Sequence, residues 1–267
     1  MRHPQTLPPS SRPFTAAVHI LFATTFLLIS SIGTAGFAQA IDQALEQLRA
    51  GNYLAAIAAG EAGLKENPDD AGLKQIVAQA HQEQGVKAFY AGNAKASVTH
   101  FDAFLKHVPE REPHHWQRGL SQYYAGEFAK GVAQFEKHQI VNGTDVENAV
   151  WHVACMVKNG SSLAEAQANM YPFAGDSRVP MEEIHALFKG TGSREAVLAV
   201  AKKSSSKRQQ NNSLCYAYLY LGLFEEINRN AEQSLADMKR AAEEYKQDHY
   251  MGKTAQVHYK LRQVITK

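Results

Sequence analysis

With 267 residues and 45% hydrophobic content, the chain is long enough for one sizeable core or for a continuous stack of smaller ones. It carries 28 basic and 26 acidic residues, and Arg2 and Arg12 in the leading segment account for the excess. That balance argues against nucleic acid, whose phosphates require a basic surplus or stripe; the densest basic run, Lys202 to Arg208, lies in a serine-rich stretch that reads as a solvated loop.

Residues 1–40 are expected to be a secretory signal. Arg2 and Arg12 lie in a polar, proline-containing start, Ala16 to Ile32 is an apolar run broken only by His19, and Ala38-Gln39-Ala40 has the pattern of a cleavage site. Cleavage after Ala40 would place the protein in the periplasm or the medium. The alternative is an uncleaved N-terminal membrane anchor, because an apolar run of about 17 residues is at the lower limit for a spanning helix. No cysteine precedes Cys155, which argues against lipid attachment at the cleavage point, and no twin-arginine pair is present.

Residues 41–175 predict helical hairpins in tandem. In the first unit Gly51 marks a turn in AGNY, and Pro68 follows it by 17 residues. Ala71 to Ala91 then reads as an extended helix, because seven extra residues precede the second unit without a breaker. Gly92, Gly126 and Gly160 recur every 34 residues, each closing a short turn, and Pro109 follows Gly92 by 17. In the third unit Trp116, Leu120, Tyr123 and Tyr124 line one helix, and Phe128, Val132, Phe135 and Ile140 line the next. Gly119 and Gly131 remove side chains where the two helices cross. The fourth unit pairs Val146 to Lys158 with Ser161 to Met170.

Beyond Met170 the register loosens. Residues 176–212 predict a short degenerate helical pair, Met181 to Phe188 with Arg194 to Lys202, and then a polar connector, SSSKRQQNNS. Residues 213–267 restore the hairpin, with Leu221, Gly222, Ser234 and Ala241 in register, and end in a capping helix from Gln256 to Ile265.

These spacings resemble the tetratricopeptide repeat family. Its pattern of small residues at positions eight, twenty and twenty-seven, glycine at fifteen, an aromatic residue at twenty-four and proline at thirty-two is matched by Gly85, Gly92, Ser97, Phe101 and Pro109, with the bulky Phe104 at position twenty-seven. Gly119, Gly126, Gly131 and Phe135 match it again, with His138 and Gly143 departing from it. The order of units is also similar to bacterial cell-envelope repeat adaptors of the NlpI type, although the lipid-attachment cysteine of that group is missing. The resemblance implies an all-α, right-handed superhelical solenoid whose first helices line a concave groove. It maps Gln82, Phe89 and Tyr90 of unit two, Trp116, Tyr123 and Tyr124 of unit three and Lys158 of unit four onto that groove. Such an aromatic wall suits a peptide, since tyrosine and tryptophan offer area, a polar tip and few rotamers to freeze; packing between neighbouring helices explains the same stripe, especially Phe89 and Leu120. The carboxylate-clamping members use Lys and Asn where this chain has Gln82 and Val86, then Trp116 and Leu120, so that chemistry is not expected.

No catalytic motif occurs, and the expected protein is not an enzyme and holds no cofactor. His100 and His107 are seven apart on one helix face without an intervening ligand, and no metal is expected. Cys155 and Cys215 allow either a disulfide or two buried thiols. Glu225-Glu226 reads as ordinary helix surface. The chain is thus expected to be an exported scaffold that binds a protein or peptide partner through its groove. The alternative is a self-assembling envelope component whose groove receives a second copy, with membrane contact only if the signal is uncleaved.

Overall fold

A computed structural model describes residues 38–203 and 206–263, and all regular structure among them is helical. The leading apolar run, Ala16 to Ile32, lies outside the described residues. Two units are distinguished, Met1–Ile76 and Val77–Lys267.

The first unit holds α1 (residues 38–49), α2 (Tyr53–Glu66) and the start of α3 (Ala71–Tyr90). Ala38 to Ala40, the expected cleavage site, form the first turn of α1. A Cβ at Gly63 of α2 would lie 2.7 Å from Cδ1 of Leu73 and 3.1 Å from Cβ of Ala40, so both helices close on that glycine.

The second unit continues α3 and adds α4 (Ala94–His107), a 3-10 turn (Pro109–His114), α5 (Trp116–Ala125), α6 (Phe128–Val141) and α7 (Val146–Lys158). Next come α8 (Leu163–Ala168), α9 (Met181–Lys189), α10 (Arg194–Ala201), α11 (Lys207–Ile227), α12 (Ala231–Lys239), a π turn (Arg240–Glu244) and α13 (Tyr250–Gln263). Helices adjacent in sequence pack against each other from α4 to α7, as local hairpins must. α11 then packs on α7 and α9, and α13 on α11 and α12.

One crossing recurs. Gly85 faces Phe101, Gly119 faces Phe135 and Gly222 faces Met238, and a Cβ on each glycine would come within 2.5, 2.8 and 2.8 Å of the opposing side chain. The partner lies 16 positions on in all three, so a local spacing fixes the approach of two helices. The turns recur too. At Gly126 (φ +80°) the amide donates to the Tyr123 carbonyl and the next amide, of Glu127, to that of Gln122, closing the C-terminus of α5. The α11–α12 turn has the same two bonds around Arg229, which takes φ 63° without being glycine.

Several expectations are corrected. The polar connector is helical from Lys207, because KRQQNNS contains no glycine or proline and simply turns its polar side outward as α11 begins. The link after Pro109, whose conformation the spacing left open, is a 3-10 turn from Pro109 to His114. The partner of α7 is only Leu163–Ala168, started by a capping box between Ser162 and Glu165. Ile140 is 85% exposed; five positions beyond Phe135, it leaves the stripe, and the buried His138 takes the inner place by bonding the Pro113 carbonyl through Nδ1 at 2.9 Å. Cys155 and Cys215 are buried free thiols, and burial pushes Cys215 up to about 12. The last helix starts at Tyr250, six residues before its expected start at Gln256, and its seat is the main departure.

Candidate functional site

Phe89, Tyr90, Trp116 and Tyr124, four of the residues expected to line a groove, lie against α13. Phe89 near the end of α3 is fully buried; its ring stacks on Tyr250 at 5.6 Å with 6° between planes and meets Tyr124 edge-on at 5.5 Å. Tyr90 stays partly exposed, 5.3 Å from the Tyr250 ring. Trp116 opens α5, behind the N-cap His115, and stands edge-on to Tyr250 at 4.8 Å. Gln82 faces away from this cluster, donating from Nε2 to Oε1 of Gln117 at 2.5 Å. The wall is therefore shared between packing and contact with α13.

Tyr123 and Tyr124 carry the polar half. Tyr123 is buried, rests edge-on against Trp151 at 5.2 Å, and donates its hydroxyl to Oε1 of Glu226 at 2.9 Å. The Tyr124 hydroxyl lies 3.0 Å from Nδ1 of His258. Glu226 collects Lys158 at 3.2 Å, His258 Nε2 at 2.8 Å and Arg262 at 2.9 Å. Its side chain is only 10% exposed, so the surface reading of Glu225-Glu226 fails for Glu226, which holds α7, α11 and α13 together. Burial alone would raise the Glu226 carboxyl, but His258 and Arg262 outweigh it and hold the group well below the usual range. Burial lowers His258 below its ordinary value against the pull of Glu226, and raises Tyr123 and Tyr124 well above theirs. At neutral pH this gives an ionised carboxylate between two cations and a neutral imidazole, with Tyr124 O–H donating to Nδ1.

Tyr250, Thr254, His258 and Arg262 recur every fourth residue and so form one stripe on α13. That stripe was missed because most of it is polar on paper. Lys260 adds a bond from Nζ to the Ala91 carbonyl at 3.0 Å, at the turn after α3. The seat is not fully packed: a cavity of about 240 Å³ remains, lined by Met251 of α13 and by Trp116, Leu120, Phe135 and Trp151. Nearby, Arg178 spreads over Asp145 at 2.5 Å, Glu147 at 2.6 Å and Asp176 at 2.6 Å, anchoring the loop after α8 to the N-terminus of α7.

His81 of α3 packs against both His100 and His107 of α4. Among the described residues, no helix is long and apolar enough to cross a membrane.

No protein-family model matches the chain, and no curated protein matches it. Among solved structures it is similar to a tetratricopeptide repeat protein from Parabacteroides merdae, at 13% identity over 86% of this chain and 99% of that one, with a TM-score of 0.38.

Proposed function

We propose that this chain is a non-enzymatic scaffold that works after export, in the cell envelope, and binds a partner as an amphipathic helix on the wall formed by α3, α5 and α7. The observation that carries the reading is the seating of α13: the wall already holds a helix, through Tyr250 on Phe89 and Trp116 and through His258 and Arg262 on Tyr124 and Glu226. An occupant held over a residual cavity and a polar cluster is one that a better-fitting helix can replace. The basic start, the apolar run and Ala38-Gln39-Ala40 support the exported location.

A labelled peptide copying Tyr250–Gln263 tests the wall by fluorescence anisotropy. The chain carrying Tyr250→Ala and His258→Ala, with its own helix weakened, is expected to bind the peptide, whereas the unmodified chain does not. Absence of binding to a double variant that keeps its helicity removes the wall as a helix receptor. The same contacts made between two copies, by exchange of α13, give the self-assembling alternative. Light scattering over a concentration series separates the two, since exchange requires a dimer.

A further inference from the structure

A pocket of about 930 Å³ opens between the end of α10, the first turns of α11 and the residues just before α13. That is room for a small organic molecule. Ser213 lines it and is only 5% exposed, yet its hydroxyl makes no hydrogen bond among the described residues. An enclosed hydroxyl left this way costs free energy until water or a ligand meets it. Asn212, next to it, is half spent. Nδ1 of His249 accepts from the Gly252 amide at 3.2 Å, so the ring proton sits on Nε2, which donates to Oδ1 of Asn212 at 2.9 Å. The Asn212 amide nitrogen keeps its donors. The His249 ring stacks on Tyr216 at 5.1 Å with 13° between planes, and Val179 and Val200 add apolar surface to the same pocket.

Charge at the pocket is unbalanced. Arg178 is taken up by Asp145, Glu147 and Asp176, and Asp248 pairs with Lys253 at 2.9 Å. Lys203 and Arg208 line the pocket, are exposed, and have no acidic partner among the described residues. Arg208 also stands in the first turn of the 21-residue α11, the positive end of the helix dipole.

We propose that this pocket binds one small aromatic carboxylate, its anion paired with Lys203 and Arg208, its ring against Tyr216, Val179 and Val200, and its oxygens accepting from Asn212 or Ser213. The ligand class follows from what the lining leaves unmet. A bare inorganic anion answers the two cations but leaves the apolar side in water, whereas a neutral aromatic molecule covers that side and leaves both cations unpaired. The site does not depend on what the α13 wall binds.

Equilibrium dialysis of the full chain against 2-naphthoate, 2-naphthamide and inorganic phosphate tests the site. One naphthoate per chain is expected at a Kd of about 1 mM or tighter, with the amide and the phosphate each about fivefold weaker or more. Lys203→Gln combined with Arg208→Gln should bring naphthoate down to the level of the amide. Lys239→Gln, an exposed cation of α12 that does not line the pocket, should leave it unchanged. Ser213→Val exchanges the hydroxyl for a methyl and should weaken naphthoate about threefold or more. Should Ser213→Val unfold, the two exposed positions still decide. No saturable uptake, equal affinity for naphthoate and its amide or for naphthoate and phosphate, or naphthoate binding unchanged in the folded Lys203, Arg208 double variant overturns the site.

Discussion

Tyr124 and His258 meet at 3.0 Å, hydroxyl to Nδ1, although 134 positions separate them in the chain. His258 in turn faces Glu226 at 2.8 Å, so the C-terminal helix is tied to the repeat wall by a buried polar chain rather than by apolar packing alone. A helix held in this way has a defined register, because sliding it would take Arg262 and His258 away from the Glu226 carboxylate.

Removing the carboxylate should therefore be expensive. Glu226→Gln leaves Arg262 and Lys158 facing a neutral amide and is expected to lower stability by about 3 kcal/mol, the usual consequence of breaking a buried ion pair. Glu225→Gln, next to it, loses only a long pairing with Arg194 at 3.8 Å and keeps an oxygen for the Asn230 amide, so it should cost less, about 1 kcal/mol at most. Urea denaturation of the two variants compares them directly; equal midpoints would contradict the hub assigned to Glu226.

Tyr250 separates ring from hydroxyl. Its ring touches Phe89, Tyr90 and Trp116, but its enclosed oxygen has no hydrogen-bond partner among the described residues. Tyr250→Phe is expected to be neutral or stabilising, because an unsatisfied buried group is removed. Tyr250→Ala should cost about 3 kcal/mol through the lost ring. Thermal melts that rank Phe below Tyr would show that the hydroxyl is bonded after all.

The hairpin crossings can be tested at Gly119. An added methyl would stand 2.8 Å from Cζ of Phe135, so Gly119→Ala should destabilise by about 2 kcal/mol through overpacking. Combining it with Phe135→Leu should cost less than the two single changes summed. At Arg229 the reverse substitution helps: Arg229→Gly relieves φ 63° and is expected to add about 1 kcal/mol. Additive losses in the Gly119 cycle, read from denaturation midpoints, would deny the contact.

Acid should loosen the fold. Burial lowers His115 to about 4, partly opposed by its backbone hydrogen bond and reinforced by Arg118 and Arg111. A folded value below the ordinary 6.5 means that the unfolded chain takes up the proton first. The stabilisation is complete above pH 6.5 and is lost as pH falls from there towards 4. His115→Asn keeps an N-cap acceptor for α5 and cannot titrate, so its stability should fall less steeply across that window. Parallel pH curves for the two chains would rule out His115 as a contributor.

The hairpins were legible because their determinants are local. Gly85 and Phe101, or Gly119 and Phe135, meet one helical hairpin apart, and the glycine turns between them stop one helix and start the next whatever the rest of the chain does. Arg229 shows the limit, since a turn formed without its glycine left the last hairpin's corner unmarked. Phe89, Tyr90, Trp116 and Tyr124 meet Tyr250 or His258 of α13, a neighbour that was not foreseen. His81 escaped for a related reason, because its partners lie across the hairpin on α4 rather than on its own helix.

By itself, then, the sequence determined that this chain stacks helical hairpins, since each depends on contacts closed within a few turns of its own residues. Only the tertiary structure decided that the final helix returns to the wall of α3 and α5. Its stripe of Tyr250, Thr254, His258 and Arg262 has no apolar period to announce it, and becomes a docking face only when the distant Glu226 and Tyr124 supply charge and hydrogen-bond partners out of water.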